Sequence, residues 1–161
     1  MRLALLGAGI IGTVIARDLA SWDGPHEVVV GDLDEERARG VAAEHGFESA
    51  AVDVRDSQSL DAFLGGGDVV INAAQYQLNL EVMEGALRAR CQYLDLGGLF
   101  HTTRRQLELD GKFRAAGRTA VLGIGSCPGI ANVHAADLAN GSTRFGRCGS
   151  SMGPPSIRPT L

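Results

Sequence analysis

The sequence predicts an α/β domain, a doubly wound parallel sheet of six strands with a poorly ordered C-terminal tail. Three observations carry this. Short β-type runs alternate with helical runs through six strands between residues 2 and 123 of the 161, the pattern of a parallel sheet covered by helices. A glycine-rich turn sits directly between the first strand and the first helix. Composition then changes near residue 140, where 11 of the 22 residues from Asn140 to Leu161 are Gly, Ser or Pro.

Each element has a local reason. Residues 2–7 form an apolar run without alternation, as a strand buried on both faces requires. Residues 11–20 set Ile11, Val14, Ile15 and Leu19 on one helical face. Residues 27–31 are the second strand. Asp34 reads as an N-cap, with Glu35 and Glu36 opposing the helix dipole in the first turn of a helix that ends near Gly46. Residues 47–52 are a third, weaker strand. Ser57 is expected to cap a short helix through Leu64, which the glycines at 65–67 terminate. Residues 68–72 are the fourth strand and 79–90 a helix with Leu80, Met83 and Leu87 on one stripe. Residues 92–96 are the fifth strand, 102–116 one helix capped by Gly117, and 119–123 the sixth strand. Pro128 is expected at the first position of a further helix. Pro154, Pro155 and Pro159 oppose helix and central strand alike in the tail. A (β/α)8 barrel is disfavoured, because it needs about 250 residues. The domain is therefore expected over residues 1–136 and the atypical tail over 137–161.

Composition excludes several classes. The net charge of −4 offers no basic face for nucleic acid. No run approaches about 18 apolar residues, so no membrane span is expected, and the glycines within MRLALLGAGIIG argue against a signal peptide. Cys91, Cys127 and Cys148 are widely spaced, without a CxxC pair, which fits a reducing cytoplasm rather than a disulfide or zinc framework. His26, His45 and His134 lack metal-ligand spacing, and no metal site is proposed.

The chemistry is concentrated in Gly7-Ala8-Gly9-Ile10-Ile11-Gly12, a GxGxxG motif that follows a strand and opens a helix, with Asp32 closing the next strand 20 residues after Gly12. Gly7 permits the tight turn, Gly9 lets backbone approach a pyrophosphate, and Gly12 lets helix and strand pack closely. The helix N-terminus supplies N–H groups and partial positive charge. Asp32 is placed to accept hydrogen bonds from an adenosine ribose. Its charge repels a 2′-phosphate by a few kcal/mol, order of magnitude, which favours NAD over NADP, while Arg37 and Arg39 just beyond soften that preference. The cofactor site is of the Rossmann type.

Ligands of such sheets lie at the carboxyl ends of the strands, which adds candidates. Asp53 and Val54 are placed to bound an adenine pocket, or form a surface loop with an N-cap. Asn72 offers a hydrogen bond and Ala73 and Ala74 allow close approach to a dinucleotide. Asp95 falls near the nicotinamide end, either orienting a ribose or substrate or capping the helix that starts at Thr102. His101 lies in a loop on the same face as a candidate proton donor. Cys127, next to Pro128, is either a helix-terminal nucleophile or a small residue filling a cramped loop. Asp95 and His101 are the candidate catalytic residues.

The segments LLGAGIIGTVIARDLA, VVVGDLD, DVVINAAQYQLNLEVMEGALRARCQYLDLGG and AVLGIGSCPGIANV, in that order, resemble the N-terminal dinucleotide-binding domain of saccharopine dehydrogenase-like proteins. DLGG and GSCPGIANV are most similar to lysine 6-dehydrogenase-like members. The resemblance covers about residues 2–135. It implies NAD(P)-dependent oxidation at a CH–NH or CH–NH2 bond of an amino acid, or the reverse reduction. It also implies a substrate domain after the region matching Pro128–Val133. The residues following Ala135 depart from that pattern, as a truncated or frameshifted reading frame would, so the amino-acid substrate depends on a domain this sequence does not show. The alternative is a non-catalytic NAD-binding regulatory module. A sheet edge or domain face left without its partner is also expected to favour a homo-oligomer.

Overall fold

The structure is a computed structural model and describes residues 1–140 apart from Pro25. Six parallel strands, β1 (Arg2–Leu6), β2 (Glu27–Asp32), β3 (Glu48–Ala51), β4 (Val69–Asn72), β5 (Gln92–Asp95) and β6 (Ala120–Val121), lie in the order β3-β2-β1-β4-β5-β6. The order reverses between β1 and β4, so a crevice opens at their carboxyl ends. Helices α1 (Ile10–Ala20), α2 (Glu35–His45), α3 (Ser57–Leu64), α4 (Asn79–Ala89), α5 (Phe100–Leu107), α6 (Asp110–Ala116) and α7 (Ile130–Asn140) follow the strands, with a short 3-10 turn at Tyr76–Leu78.

The unalternated first strand is apolar because it feeds two cores. Successive side chains point to opposite faces. Leu3 and Leu5 join Val28, Val30, Ala16, Leu19 and Val41 under α1 and α2. Ala4 and Leu6 join Val29, Val70, Leu60, Phe63, Val82 and Met83 under α3 and α4. Full burial of each Leu, Val, Phe or Met among them contributes about 1.5–3 kcal/mol.

Several boundaries differ from the sequence expectation. Asp56, not Ser57, caps α3, its carboxylate accepting from Gln58 N at 3.0 Å. The single helix expected over 102–116 is two. Glu108 N and Leu109 N donate to carbonyls three residues back, and this tightened joint separates α5, which buries Gln106, from α6, which buries Phe113. The sixth strand stops at Val121 because Gly123 turns with φ +69 and Ile124 N donates to the Asp95 carbonyl at 3.0 Å. The last helix starts at Ile130, two residues beyond Pro128, and continues through Asn140, so residues 137–140 are helical. The rest of the expected tail, including Cys148, lies outside the described residues. Among the described residues, no helix is long and apolar enough to cross a membrane.

Candidate functional site

The β1–α1 turn is built by exclusion of side chains. Gly7 holds φ +101, and a Cβ there would meet the backbone of Ala73 and Ala74 at 2.8 Å. Its N–H donates to the Gly31 carbonyl at 2.7 Å, while Ala73 N donates to the Leu6 carbonyl at 2.7 Å. The turn is thus clamped between the end of β2 and the loop that follows β4. A Cβ on Gly12 would be driven into the Gly7 carbonyl oxygen, so α1 sits tightly over the turn.

Gly9 differs. It is the N-cap of α1 in an extended conformation, no side chain caps the helix, and a Cβ there would meet nothing within 4 Å. Space opens over uncapped first-turn N–H groups whose dipole favours an anion by about 0.3–1 kcal/mol when exposed. Ala8 is buried, and Ile10 and Ile11 are exposed on the first turn. Beside them Asp32 is fixed by two backbone donors, Oδ2 accepting from Ala8 N at 2.7 Å and Oδ1 from Asp34 N at 3.0 Å. Arg37 lies 3.9 Å from Asp32 and 3.3 Å from Asp34. A dinucleotide fits these residues: an uncapped helix terminus with clearance for a diphosphate, and a carboxylate adjoining it for a sugar diol.

At the end of β3, Asp53 is exposed and its carboxylate accepts from Arg55 N at 2.9 Å. Val54 is buried in the core under α3. The two are neighbours in sequence but face different surroundings.

Asn72 and Asp95 are register partners at the ends of β4 and β5, and both are 1% exposed. Asn72 donates to Asn79 Oδ1 at 3.0 Å and to the Tyr93 hydroxyl at 3.3 Å, and accepts from Ala74 N at 3.1 Å. Asp95 accepts five hydrogen bonds. Oδ1 takes Gly97 N and Gly123 N, each at 2.8 Å. Oδ2 takes Asn79 Nδ2 at 3.2 Å, the Tyr93 hydroxyl at 3.0 Å and Gln106 Nε2 at 2.6 Å. Bonds to a charged group are worth about 1.5–3 kcal/mol each, and together they offset the several kcal/mol that burying a carboxylate costs. Burial, and then the Asp95 charge, push the Tyr93 hydroxyl far above the ordinary phenol range. Asp95 does not cap α5, since Thr102 N donates to the Leu99 carbonyl instead.

Beyond these turns lies a cavity of about 580 Å³ lined by Thr103, Leu122, Gly123, Ile124, Pro128 and Ile130 among others. His101 is exposed in the first turn of α5 rather than in a loop, and Cys127 is exposed beside the cavity wall. Among the described residues no group of three or more His, Cys, Asp or Glu is placed to hold a metal ion.

The sequence reading missed Asn79, Tyr93 and Gln106, the three side chains that meet Asp95. Asn79 carried a signal. It shares a helical face with the buried Val82, Met83 and Ala86, where an uncharged polar residue needs an interior partner.

Comparison with known proteins places this geometry. Residues 3–121 match the family model described as the saccharopine dehydrogenase NADP binding domain. Carboxyaminopropylagmatine dehydrogenase from Synechocystis sp. is 28% identical over 147 residues, covering 84% of this chain and 37% of that protein. The apo structure of saccharopine dehydrogenase (L-Glu forming) from Saccharomyces cerevisiae superposes with a TM-score of 0.78 at 27% identity, covering 87% of this chain and 31% of that one. UDP-N-acetylglucosamine 3-dehydrogenase from Acidithiobacillus ferrooxidans gives 0.63 at 25%, covering 87% and 42%. The chain therefore spans less than half the length of these relatives.

Proposed function

Because the chain belongs to the saccharopine dehydrogenase NADP-binding domain family, we propose that it is the dinucleotide-holding part of an oxidoreductase acting on a CH–NH or CH–NH2 bond of an amino acid. When bound, the nicotinamide ring supplies hydride transfer. The residues of this chain bind and orient. The backbone of Gly7, Ala8, Gly9, Ile10, Ile11 and Gly12 cradles the diphosphate. Asp32 takes the adenosine ribose, with Asp53 and the backbone at Val54 near the adenine. Ala73 and Ala74 let the dinucleotide pass close to the loop after β4, which Asn72 holds from behind. His101, on the exposed start of α5, remains the candidate proton donor toward the substrate side.

The observation that carries the reading is the clearance over Gly9 at an uncapped helix terminus, beside a carboxylate tied to Ala8 N. NAD is the favoured cofactor, although the family model bears the name of NADP. A 2′-phosphate would enter against the Asp32 charge, and Arg37 is already engaged by Asp32 and Asp34. The three dispersed cysteines, with Cys91 a buried thiol, fit a cytoplasmic setting.

Titration with NADH and NADPH, read by nicotinamide fluorescence, tests this. Saturable binding is expected, with NADH tighter by about tenfold, or ~1.4 kcal/mol. Tighter NADPH binding would reverse the cofactor assignment, and absence of binding by both would remove the function.

A further inference from the structure

The two oxygens of Asp95 face different parts of the molecule. Oδ2 is held by the scaffold, through Tyr93 on β5, Asn79 on α4 and Gln106 on α5. Oδ1 is turned to two loops, accepting only the N–H groups of Gly97 and Gly123. Both glycines have positive φ, and a Cβ on either would press on Pro128, at 2.7 Å from Gly97 and 3.0 Å from Gly123. Gly123 and Pro128 line the 580 Å³ cavity. The same chain of bonds runs back through Asn79 to Asn72, whose Oδ1 holds Ala74 N in the loop that clamps Gly7. One buried polar network thus fixes the loops after β4, β5 and β6.

We propose that Asp95 is a positioning residue for the nicotinamide half of the cofactor site: its carboxylate sets the Gly97 and Gly123 turns that shape the cavity, and it does so without touching the ligand. This rests on the cofactor reading above. The adenosine half, at Gly9 in the turn after β1 and Asp32 at the end of β2, shares no hydrogen bond with Asp95. Removing the carboxylate therefore releases one half of the site and spares the other.

The chemistry of the network also fixes what an amide does there. The Gly97 and Gly123 N–H groups only donate, whereas the Gln106 amide can flip and the Tyr93 hydroxyl can turn its proton to the Asn79 carbonyl, 3.4 Å away. An asparagine at 95 keeps its oxygen on the two loops and presents its NH2 to partners able to adapt. Alanine leaves both loop donors without an acceptor.

The experiment is isothermal titration calorimetry of the full chain with NADH and with ADP, which probes the adenosine half alone. For Asp95→Ala, NADH binding is expected to weaken by about tenfold or more, as loss of two buried hydrogen bonds predicts, while ADP affinity stays within about twofold. Asp95→Asn is expected to return NADH binding to within about threefold of the parent. Gln106→Met, which keeps the carboxylate and the buried volume but removes its shortest donor, covers the case in which alanine does not fold. It is expected to weaken NADH about threefold with ADP unchanged. Equal losses for both ligands, or no loss for NADH in any variant that folds, would overturn the positioning role while leaving the cofactor site intact. A parent chain that binds neither ligand would overturn both.

Discussion

The Asp32 carboxylate accepts a 2.7 Å hydrogen bond from the backbone N–H of Ala8, so the acid ending the second strand is fastened to the glycine turn that ends the first. The two parts of the candidate cofactor site, 24 residues apart, are held as one body before any ligand arrives. A preformed arrangement of this kind lowers the ordering cost of binding.

The glycines of the turn separate binding from folding. Gly9→Val adds bulk into open space and is expected to abolish NADH binding while the circular dichroism spectrum and the cooperative melt persist. Gly12→Ala meets the Gly7 carbonyl and is expected to lose about 3 kcal/mol of stability, as overpacking does. Denaturant melts of the two variants check the contrast.

Cofactor choice is expected to move with the charge at residue 32. Asp32→Asn keeps an acceptor for Ala8 N but drops the negative charge, and the NADPH to NADH affinity ratio is expected to rise about tenfold. Parallel fluorescence titrations measure it. An unchanged ratio would mean that the 2′ position of the ribose does not approach this side chain.

Alkaline pH is expected to weaken the fold. Burial pushes the Cys91 thiol up, and burial with the Asp95 charge pushes the Tyr93 hydroxyl up. The unfolded chain releases these protons at about 8.5 and about 10, while the native state retains them. The unfolded state then binds fewer protons, so stability falls as pH rises through and above those values, and both contributions are fully present below about pH 8. Urea midpoints from pH 7 to 11 are expected to decline. Cys91→Ala removes the earlier part of the decline and Tyr93→Phe the later part.

The inner and outer apolar residues are expected to differ sharply. Leu5 is fully buried under α1 and α2, and Leu5→Ala is expected to cost about 2–5 kcal/mol. Ile10 is 85% exposed, and Ile10→Ala is expected to stay within about 0.5 kcal/mol. Urea melts of the two proteins decide it.

The strand–helix alternation and the glycine turn were legible because each rests on local chemistry. An unbroken apolar run such as Leu3–Leu6 needs two covering layers, and Gly7 and Gly12 stand where only a missing side chain fits. The buried network was less legible. Asp95 was visible as a strand-end carboxylate, but its five donors come from β5, α4, α5 and two loops, and no spacing rule links residues 79, 93, 97, 106 and 123. The break at Glu108 was hidden for a similar reason. Both Gln106 and Phe113 had to face inward, a demand set by what α5 and α6 pack against rather than by propensity. Pro128 misled because its ring packs against Gly97 and Gly123 instead of opening the helix.

The central claim is that the N-terminal turn of α1 holds a diphosphate with Asp32 on the adjoining sugar. A crystal structure of the chain grown with NADH measures it directly. The account predicts diphosphate density over the Gly9, Ile10 and Ile11 amides and a ribose hydroxyl within hydrogen-bond distance of the Asp32 carboxylate. NADH seated away from that turn, or seated there with its adenosine ribose turned from Asp32, would contradict it.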